Sequence, residues 1–154
     1  FGAIAGFYFW FPKFTGRFMN ETIGKIHFWI TMISFNALFF PLFFLGIGGY
    51  HRRIYDFSSF PSLMKEPFLS IQKYATIFAI IFILAQFLLI FNIVYSYFKG
   101  KKATKNPWLA NTLEWQAESP PPHGNFAAEL EVFHGPYEYS LPDRQDDYLP
   151  QSTK

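Results

Sequence analysis

The chain contains no cysteine and few charged residues. The lack of cysteine excludes disulfides, thiolate zinc sites, iron–sulfur clusters and thiolate copper centres within it. Charged residues make up 16% of the chain, whereas an ordinary soluble domain carries about 25%. Hydrophobic residues make up 51%. Little charge and much apolar surface are together typical of a membrane protein.

Charge is missing altogether from two long runs. Residues 28–50 and residues 75–98 contain no Asp, Glu, Lys, Arg or His. A helix needs about 20 apolar residues to cross the hydrocarbon core of a bilayer, and both runs exceed that length. The sequence therefore predicts transmembrane helices at residues 26–49 and 74–98. Pro41 should kink the first of them, because it removes a backbone hydrogen bond.

The first residues are apolar but too few to span a membrane. Residues 1–11 are uncharged and lack the basic start and cleavage pattern of a signal peptide. We interpret them as the end of a transmembrane helix that Pro12 stops, and the chain as a piece of a longer protein. Residues 12–25 then form a loop, in which Asn20, Glu21 and Thr22 mark the start of the next helix.

The remaining segments are an outer loop at residues 50–73 and a tail at residues 99–154. The tail holds seven of the eleven prolines and keeps no helix or strand period, which predicts an extended tail lying on other surfaces. The first loop and the start of the tail carry seven cations (Lys13, Arg17, Lys25, Lys99, Lys101, Lys102, Lys105), against four in the outer loop (Arg52, Arg53, Lys65, Lys73). The positive-inside rule then predicts a tail on the cytoplasmic or matrix side.

The polar side chains at membrane depth favour hydrogen bonding between helices. These side chains belong to Thr31, Ser34, Asn36, Gln86 and Asn92. A proton or substrate path is the weaker interpretation, because neither span contains Asp or Glu. His27 is predicted to be an interfacial hydrogen-bonding residue, since no second ligand lies three or four residues on. His123 and His134 also lack metal-ligand spacing.

Two adjacent arginines follow the first uncharged run. Gly48 and Gly49 precede Arg52 and Arg53 and permit a tight turn or a close backbone approach. Arginine binds carboxylates through a two-pronged fork and stays charged, so the pair suits a permanent dianion near the membrane surface. The alternative is ordinary anchoring, in which both side chains reach lipid headgroups.

A series of motifs carries a resemblance to a known family. In chain order they are GFYFWFPKFTGR at 6–17, GKIHFW at 24–29, FFPLFFLGIGGYHRR at 39–53, NPW at 106–108, TLEW at 112–115, SPPPHGNF at 119–126 and GPYEY at 135–139. With these motifs the chain resembles the C-terminal part of subunit I of the haem–copper oxidases, of bacterial type. The resemblance implies an all-α membrane protein, with the end of one transmembrane helix, two full transmembrane helices and an extended Pro-rich tail in a twelve-helix bundle.

The resemblance gives the double arginine a role. Arg52 and Arg53 would pair with the haem propionates on the outer side of the membrane. The chain departs from the usual family pattern at His51, where Pro is usual, and at Phe43, where His is usual. Neither position is a haem-iron or copper ligand in the family.

The family reduces oxygen to water with electrons from cytochrome c and translocates protons, and quinol is the alternative electron donor. The complete subunit holds haem and copper, but the resemblance puts the metal-ligand histidines and the cross-linked tyrosine before residue 1. This piece is therefore expected to supply no catalytic residue and no metal ligand and to be inactive alone. It is either a partial sequence or one half of a split subunit.

The implied partners are the N-terminal remainder of subunit I, oxidase subunits II and III, cytochrome c and membrane lipid, with no nucleic acid. The implied location is the bacterial cytoplasmic membrane, with the mitochondrial inner membrane as the alternative. The alternative of another class is a non-catalytic membrane assembly protein with two spans.

Overall fold

The structure, a computed structural model, describes residues 1–56, 59–126, 128–138, 142, 145 and 147–154. Tyr139 of the GPYEY motif lies outside these residues. Four α-helices and one 3₁₀ helix form the described elements: α1 (Gly2–Thr15), α2 (Glu21–Ile47), the 3₁₀ helix (Pro61–Met64), α3 (Phe68–Lys99) and α4 (Leu113–Gln116). No strand occurs within the described ranges, and the prediction of an all-α membrane protein is confirmed.

Two of the helices are long and apolar enough to cross a membrane. They are α2, with 27 residues, and α3, with 32 residues. The prediction of two spans is therefore confirmed, although their limits at membrane depth stay predictions. Helix α2 begins at Glu21, directly after Asn20, the first of the three residues that mark the predicted helix start, and continues through Pro41 to Ile47.

Helix α1 does not end at Pro12, so that expectation is wrong. The helix continues to Thr15 and ends at Gly16, whose φ of 67° is left-handed and whose N–H donates to the carbonyl of Pro12 at 2.8 Å. A proline costs a helix one backbone hydrogen bond but does not have to end it. Here the left-handed glycine closes the last turn.

The described chain divides into two compact units. One unit comprises Glu21–Asn92, and the other comprises Phe1–Asn20 with Ile93–Lys154. The tail belongs to the same unit as α1, which agrees with a tail that lies on another surface.

Within the unit Glu21–Asn92, polar side chains join α2 to α3. The amide of Gln86 donates to the hydroxyl of Thr31 at 3.4 Å, and its oxygen lies 3.5 Å from Nε2 of the buried His27. The prediction of hydrogen bonding between helices is confirmed for this pair. Ser34 and Asn36 instead donate to carbonyls of their own helix, those of Ile30 and Met32.

Within the other unit, tail aromatics cover part of α1. The indole N–H of Trp108 donates to the carbonyl of Phe9 at 3.0 Å, and the two rings are stacked with centroids 5.7 Å apart. The ring of Trp115 meets Phe9 edge-on at 5.0 Å and is fully buried. These contacts give the tail a fixed place on α1, and the short helix α4, which the sequence did not predict, carries Trp115 there.

The end of the chain is held within the tail by side-chain amides. Asn111 accepts a hydrogen bond from the backbone N–H of Leu149 at 2.8 Å and donates to the carbonyl of Asp147. Buried Gln151 accepts from the N–H of Leu113 and donates to the carbonyl of His134. These bonds satisfy backbone groups that have no helix or ladder to pair with.

Candidate anion-binding loop

The end of α2 turns sharply into the loop that carries the two arginines. The N–H of Tyr50 donates to the carbonyl of Leu45 at 3.0 Å, and the N–H of Gly49 donates to the carbonyl of Gly46 at 3.1 Å. Gly49 has a left-handed φ of 89°. These two bonds and the left-handed residue form a Schellman motif, the usual end of a helix at glycine. The predicted tight turn is thereby confirmed.

Gly48 has a different role from Gly49. A Cβ atom at Gly48 would lie 2.9 Å from the ring of Phe68, the first residue of α3. The absence of a side chain therefore lets the start of α3 lie against the end of α2. The predicted close approach is real, and it serves helix packing.

The two arginines lie beyond this turn and are both exposed. Arg53 has a left-handed φ of 60°, which is uncommon for a residue other than glycine. Neither guanidinium forms a hydrogen bond or an ion pair with the part of the chain that the structure describes. Their donors are therefore available to an external anion.

Both arginines line one open cleft of about 460 Å³. The cleft is also lined by His51, Tyr55, Asp56, Ser59 and Phe60. The ring of His51 lies 5.9 Å from that of Phe60, and the hydroxyl of Ser59 donates to the carboxylate of Asp56 at 3.2 Å. The lining thus carries two permanent cations and one carboxylate.

Tyr50 precedes this group and adds no negative charge to it. Burial raises the pKa of its phenol above the usual value of 10.0. The phenol is therefore neutral at physiological pH.

The arrangement suits one dianion or two carboxylates. Two adjacent guanidinium groups provide ten N–H donors in planar forks, and neither can lose its charge near neutral pH. The described residues contain no group of three His, Cys, Asp or Glu that could hold a metal ion. The site is thus suited to anion binding by charge and hydrogen bonds.

The sequence singled out the two arginines and His51 but not the rest of the cleft. Asp56, Ser59 and Phe60 line the cleft together with the arginines, and only their nearness in sequence could have indicated this. Of the two departures, His51 lines the cleft, whereas Phe43 is exposed on α2 with 65% of its surface accessible.

Comparison with known proteins identifies the class. Residues 1–88 match the family described as Cytochrome C and Quinol oxidase polypeptide I. The chain belongs to this family, and the resemblance seen in its motifs is confirmed. The match favours the oxidase interpretation over a membrane assembly protein.

Individual relatives match over nearly the whole chain. It is 38% identical over 97% of its length to the alternative cytochrome c oxidase subunit 1 of Bradyrhizobium diazoefficiens. It is 40% identical over 92% to cytochrome c oxidase subunit 1 of Synechocystis, and 35% identical over 99% to quinol oxidase subunit 1 of Bacillus subtilis. The chain spans 25%, 24% and 23% of these three proteins, about a quarter of their length.

Proposed function

We propose that this chain forms the C-terminal part of the catalytic subunit of a respiratory terminal oxidase, which reduces oxygen to water and translocates protons. The observation that carries the proposal is the family match over residues 1–88, a range that includes both long apolar helices up to Leu88 and the double arginine between them. In this proposal the segment contributes helix packing and an anion-binding loop, and the metal ligands come from the rest of the subunit.

Cytochrome c is the proposed electron donor, with quinol as the second candidate. Two of the three relatives described above are named cytochrome c oxidase subunit 1, and the third is named quinol oxidase subunit 1. Turnover of the complete oxidase with reduced cytochrome c, compared with turnover on a quinol, separates the two. Oxidation of quinol alone would overturn the cytochrome c assignment.

The proposed role of Arg52 and Arg53 is to bind the propionates of haem. The fit rests on two exposed guanidinium groups that line one cleft and form no ion pair with the described residues. When bound in such enzymes, haem carries electrons. Haem and copper together supply the chemistry of oxygen reduction. The arginines would neutralise its carboxylates and fix their position.

The test of this role is a redox titration of the complete oxidase in membranes. Arg52→Ala and Arg53→Ala should each lower a haem midpoint potential, because an uncompensated carboxylate favours the more positive, oxidised iron. Arg→Lys at either position should lower the midpoint potential less than Arg→Ala does, since Lys keeps the charge but loses the planar fork.

Lys65→Ala is the matched control, because it removes an exposed cation from the same loop. We expect it to leave both potentials unchanged. Normal haem content with unchanged midpoints in both arginine variants would contradict the proposed role. The two residues would then be lipid anchors.

We further propose that the arginine loop faces the outer side of the membrane and the tail faces the cytoplasm or matrix. The support is the count of seven Lys and Arg in the inner segments against four in the loop. Cysteines introduced at Ser59 and Thr104, which are both exposed, should be labelled from opposite sides. Labelling from one side only would contradict this topology.

A further inference from the structure

The chain pairs with itself where it leaves α3. The N–H of Phe18 donates to the carbonyl of Lys101 at 2.8 Å, and the N–H of Ala103 donates to the carbonyl of Gly16 at 2.8 Å. Between these two bonds, Arg17 and Lys102 form an antiparallel bridge. The two cations thus stand directly opposite each other on paired backbone.

This pairing is electrostatically unfavourable without an anion. Residues directly opposite in an antiparallel pair have Cβ atoms about 4.5–5.5 Å apart on one face, and like charges there are destabilising. The described residues supply no carboxylate to either cation. The guanidinium of Arg17 instead donates to the carbonyl of Gly100 at 2.7 Å, which holds it beside the bridge.

The backbone around the bridge cannot easily move the charges apart. A side chain at Gly100 would collide with the carbonyls of Phe18 and Ser96. The hydroxyl of Ser96 also accepts a hydrogen bond from the N–H of Asn20 at 3.0 Å. This close contact beside the bridge helps to keep Arg17 and Lys102 opposite each other.

The surroundings indicate what kind of anion fits. Lys99 and Lys101 are exposed beside the bridge, and the rings of Tyr97 and Phe98 are 54% and 65% exposed directly before it, at the end of an apolar helix. Exposed tyrosine and lysine at the end of a span mark the depth of the lipid headgroups. An anion at this depth that also has an apolar body is an anionic phospholipid.

We propose that Arg17 and Lys102 bind the phosphate of an anionic phospholipid headgroup. The phosphate oxygens would accept hydrogen bonds from the guanidinium and the ammonium and would remove the repulsion across the bridge. The exposed Lys99 and Lys101 would add attraction to the negative surface of the bilayer. The proposal does not depend on the oxidase function, and the redox titration above leaves it untouched.

The test uses the full chain in micelles of a zwitterionic detergent, with bound lipid counted by native mass spectrometry during titration. Phosphatidylglycerol should bind more tightly than phosphatidylcholine, and added salt should weaken its binding. Lys102→Gln should lower the affinity for phosphatidylglycerol about fivefold, the factor that corresponds to one cation near a lipid surface. Lys102→Arg should bind as the unchanged chain does.

Lys25→Gln is the matched control. It removes the same charge, but Lys25 is already paired with Glu21 at 3.3 Å, so phosphatidylglycerol affinity should hold. An equal loss in Lys25→Gln and Lys102→Gln would overturn the site in favour of net charge alone. Equal binding of phosphatidylglycerol and phosphatidylcholine by the unchanged chain would overturn it as well.

Two further measurements keep the result interpretable. Inorganic phosphate at millimolar concentration should not displace phosphatidylglycerol, and displacement would show that the site takes free phosphate and not lipid. Circular dichroism of each variant checks that α2 and α3 are formed. Should Lys102→Gln fail to fold, the salt dependence of the unchanged chain and of Lys102→Arg decides, and salt-independent binding would overturn the proposal.

Discussion

The ammonium of Lys13 donates a hydrogen bond to the carbonyl of Ala117 at 2.7 Å, and so joins the last turn of α1 to the tail. The carbonyls of Lys105 and Glu118 lie 3.4 and 3.5 Å from the same nitrogen, and the ring of Trp115 lies 5.0 Å away. Lys13 is 6% exposed. A single buried cation, held by backbone carbonyls and an indole, thus fixes the tail to the helix.

Replacing Lys13 with Met should loosen the tail. The change keeps an unbranched side chain but leaves the carbonyl of Ala117 without its donor, and a hydrogen bond to a charged group contributes about 1.5–3 kcal/mol. The tail should therefore be cut faster by a protease, while α2 and α3 stay protected.

The control for this prediction is Lys105→Met. Lys105 forms an exposed ion pair with Glu118 at 2.9 Å, and such pairs contribute about 0–1 kcal/mol. Protease cleavage should be nearly unchanged. Equal loosening by both variants would mean that docking of the tail depends on the number of positive charges and not on the buried contact of Lys13.

The stability of the docked tail should also depend on pH. Burial lowers the pKa of Lys13 below the usual 10.5; the nearby Glu118 acts against this shift, and Lys105 adds to it. Between the lowered pKa and about 10.5, the docked state holds fewer protons than the undocked state. Docking should therefore strengthen as pH rises through that window, since the neutral amine avoids the cost of burying charge and can still donate to the carbonyl of Ala117.

The measurement is the protease resistance of the tail at increasing alkaline pH. Lys13→Met lacks the titrating group and should show a flatter profile than the unchanged chain. If docking of the unchanged chain weakens at alkaline pH while the variant is unaffected, the prediction is wrong, and the charged Lys13 holds the tail more strongly than the neutral amine does.

Gln86→Leu should weaken the contact between α2 and α3. The change removes the hydrogen bonds to Thr31 and His27, and a hydrogen bond between membrane helices contributes about 0.6 kcal/mol on average and up to about 2. Unfolding in mixed detergent micelles should occur at lower denaturant.

Asn36→Leu is the matched control, because the amide of Asn36 is exposed and bonds to its own helix through the carbonyl of Met32. We expect no loss of stability. If this variant is destabilised as much as Gln86→Leu, the loss of stability comes from removing a polar side chain from a helix and not from the contact between helices.

Gly49→Ala should destabilise the end of α2. Its left-handed φ of 89° is unfavourable for any residue with a Cβ atom, at a cost of about 1–2 kcal/mol. Gly46→Ala provides the comparison, since it lies inside the helix with open space around it and should be neutral or stabilising. Thermal unfolding of both variants tests the prediction, which fails if their midpoints coincide.

The sequence was sufficient for the features that depend on neighbouring residues. Uncharged runs identified α2 and α3, and the two glycines indicated the turn before Arg52, because helix length and backbone sterics act locally. The polar residues of the spans indicated hydrogen bonds, but not that Ser34 bonds to its own helix, since a serine hydroxyl reaches both kinds of acceptor.

Features that depend on distant residues could not be predicted. Lys13 looked like an ordinary loop cation, because its acceptor at Ala117 lies 104 residues further along the chain. The pairing of Arg17 with Lys102 could not be predicted for the same reason, because these two residues are also far apart in sequence. Even Pro12 was misjudged locally, since the helix end is decided by the left-handed Gly16 four residues later.

The long separation between Lys13 and Ala117 also imposes an order on biogenesis. A ribosome delivers Lys13 before the tail residues, so the end of α1 must wait through the synthesis and insertion of both long helices before its cover exists. Domains generally form from the N-terminus during translation. Placement of Trp108 and Trp115 against Phe9 therefore comes after the synthesis of both long helices, and a nascent chain that stalls before Trp108 leaves that end of α1 bare to quality-control proteases.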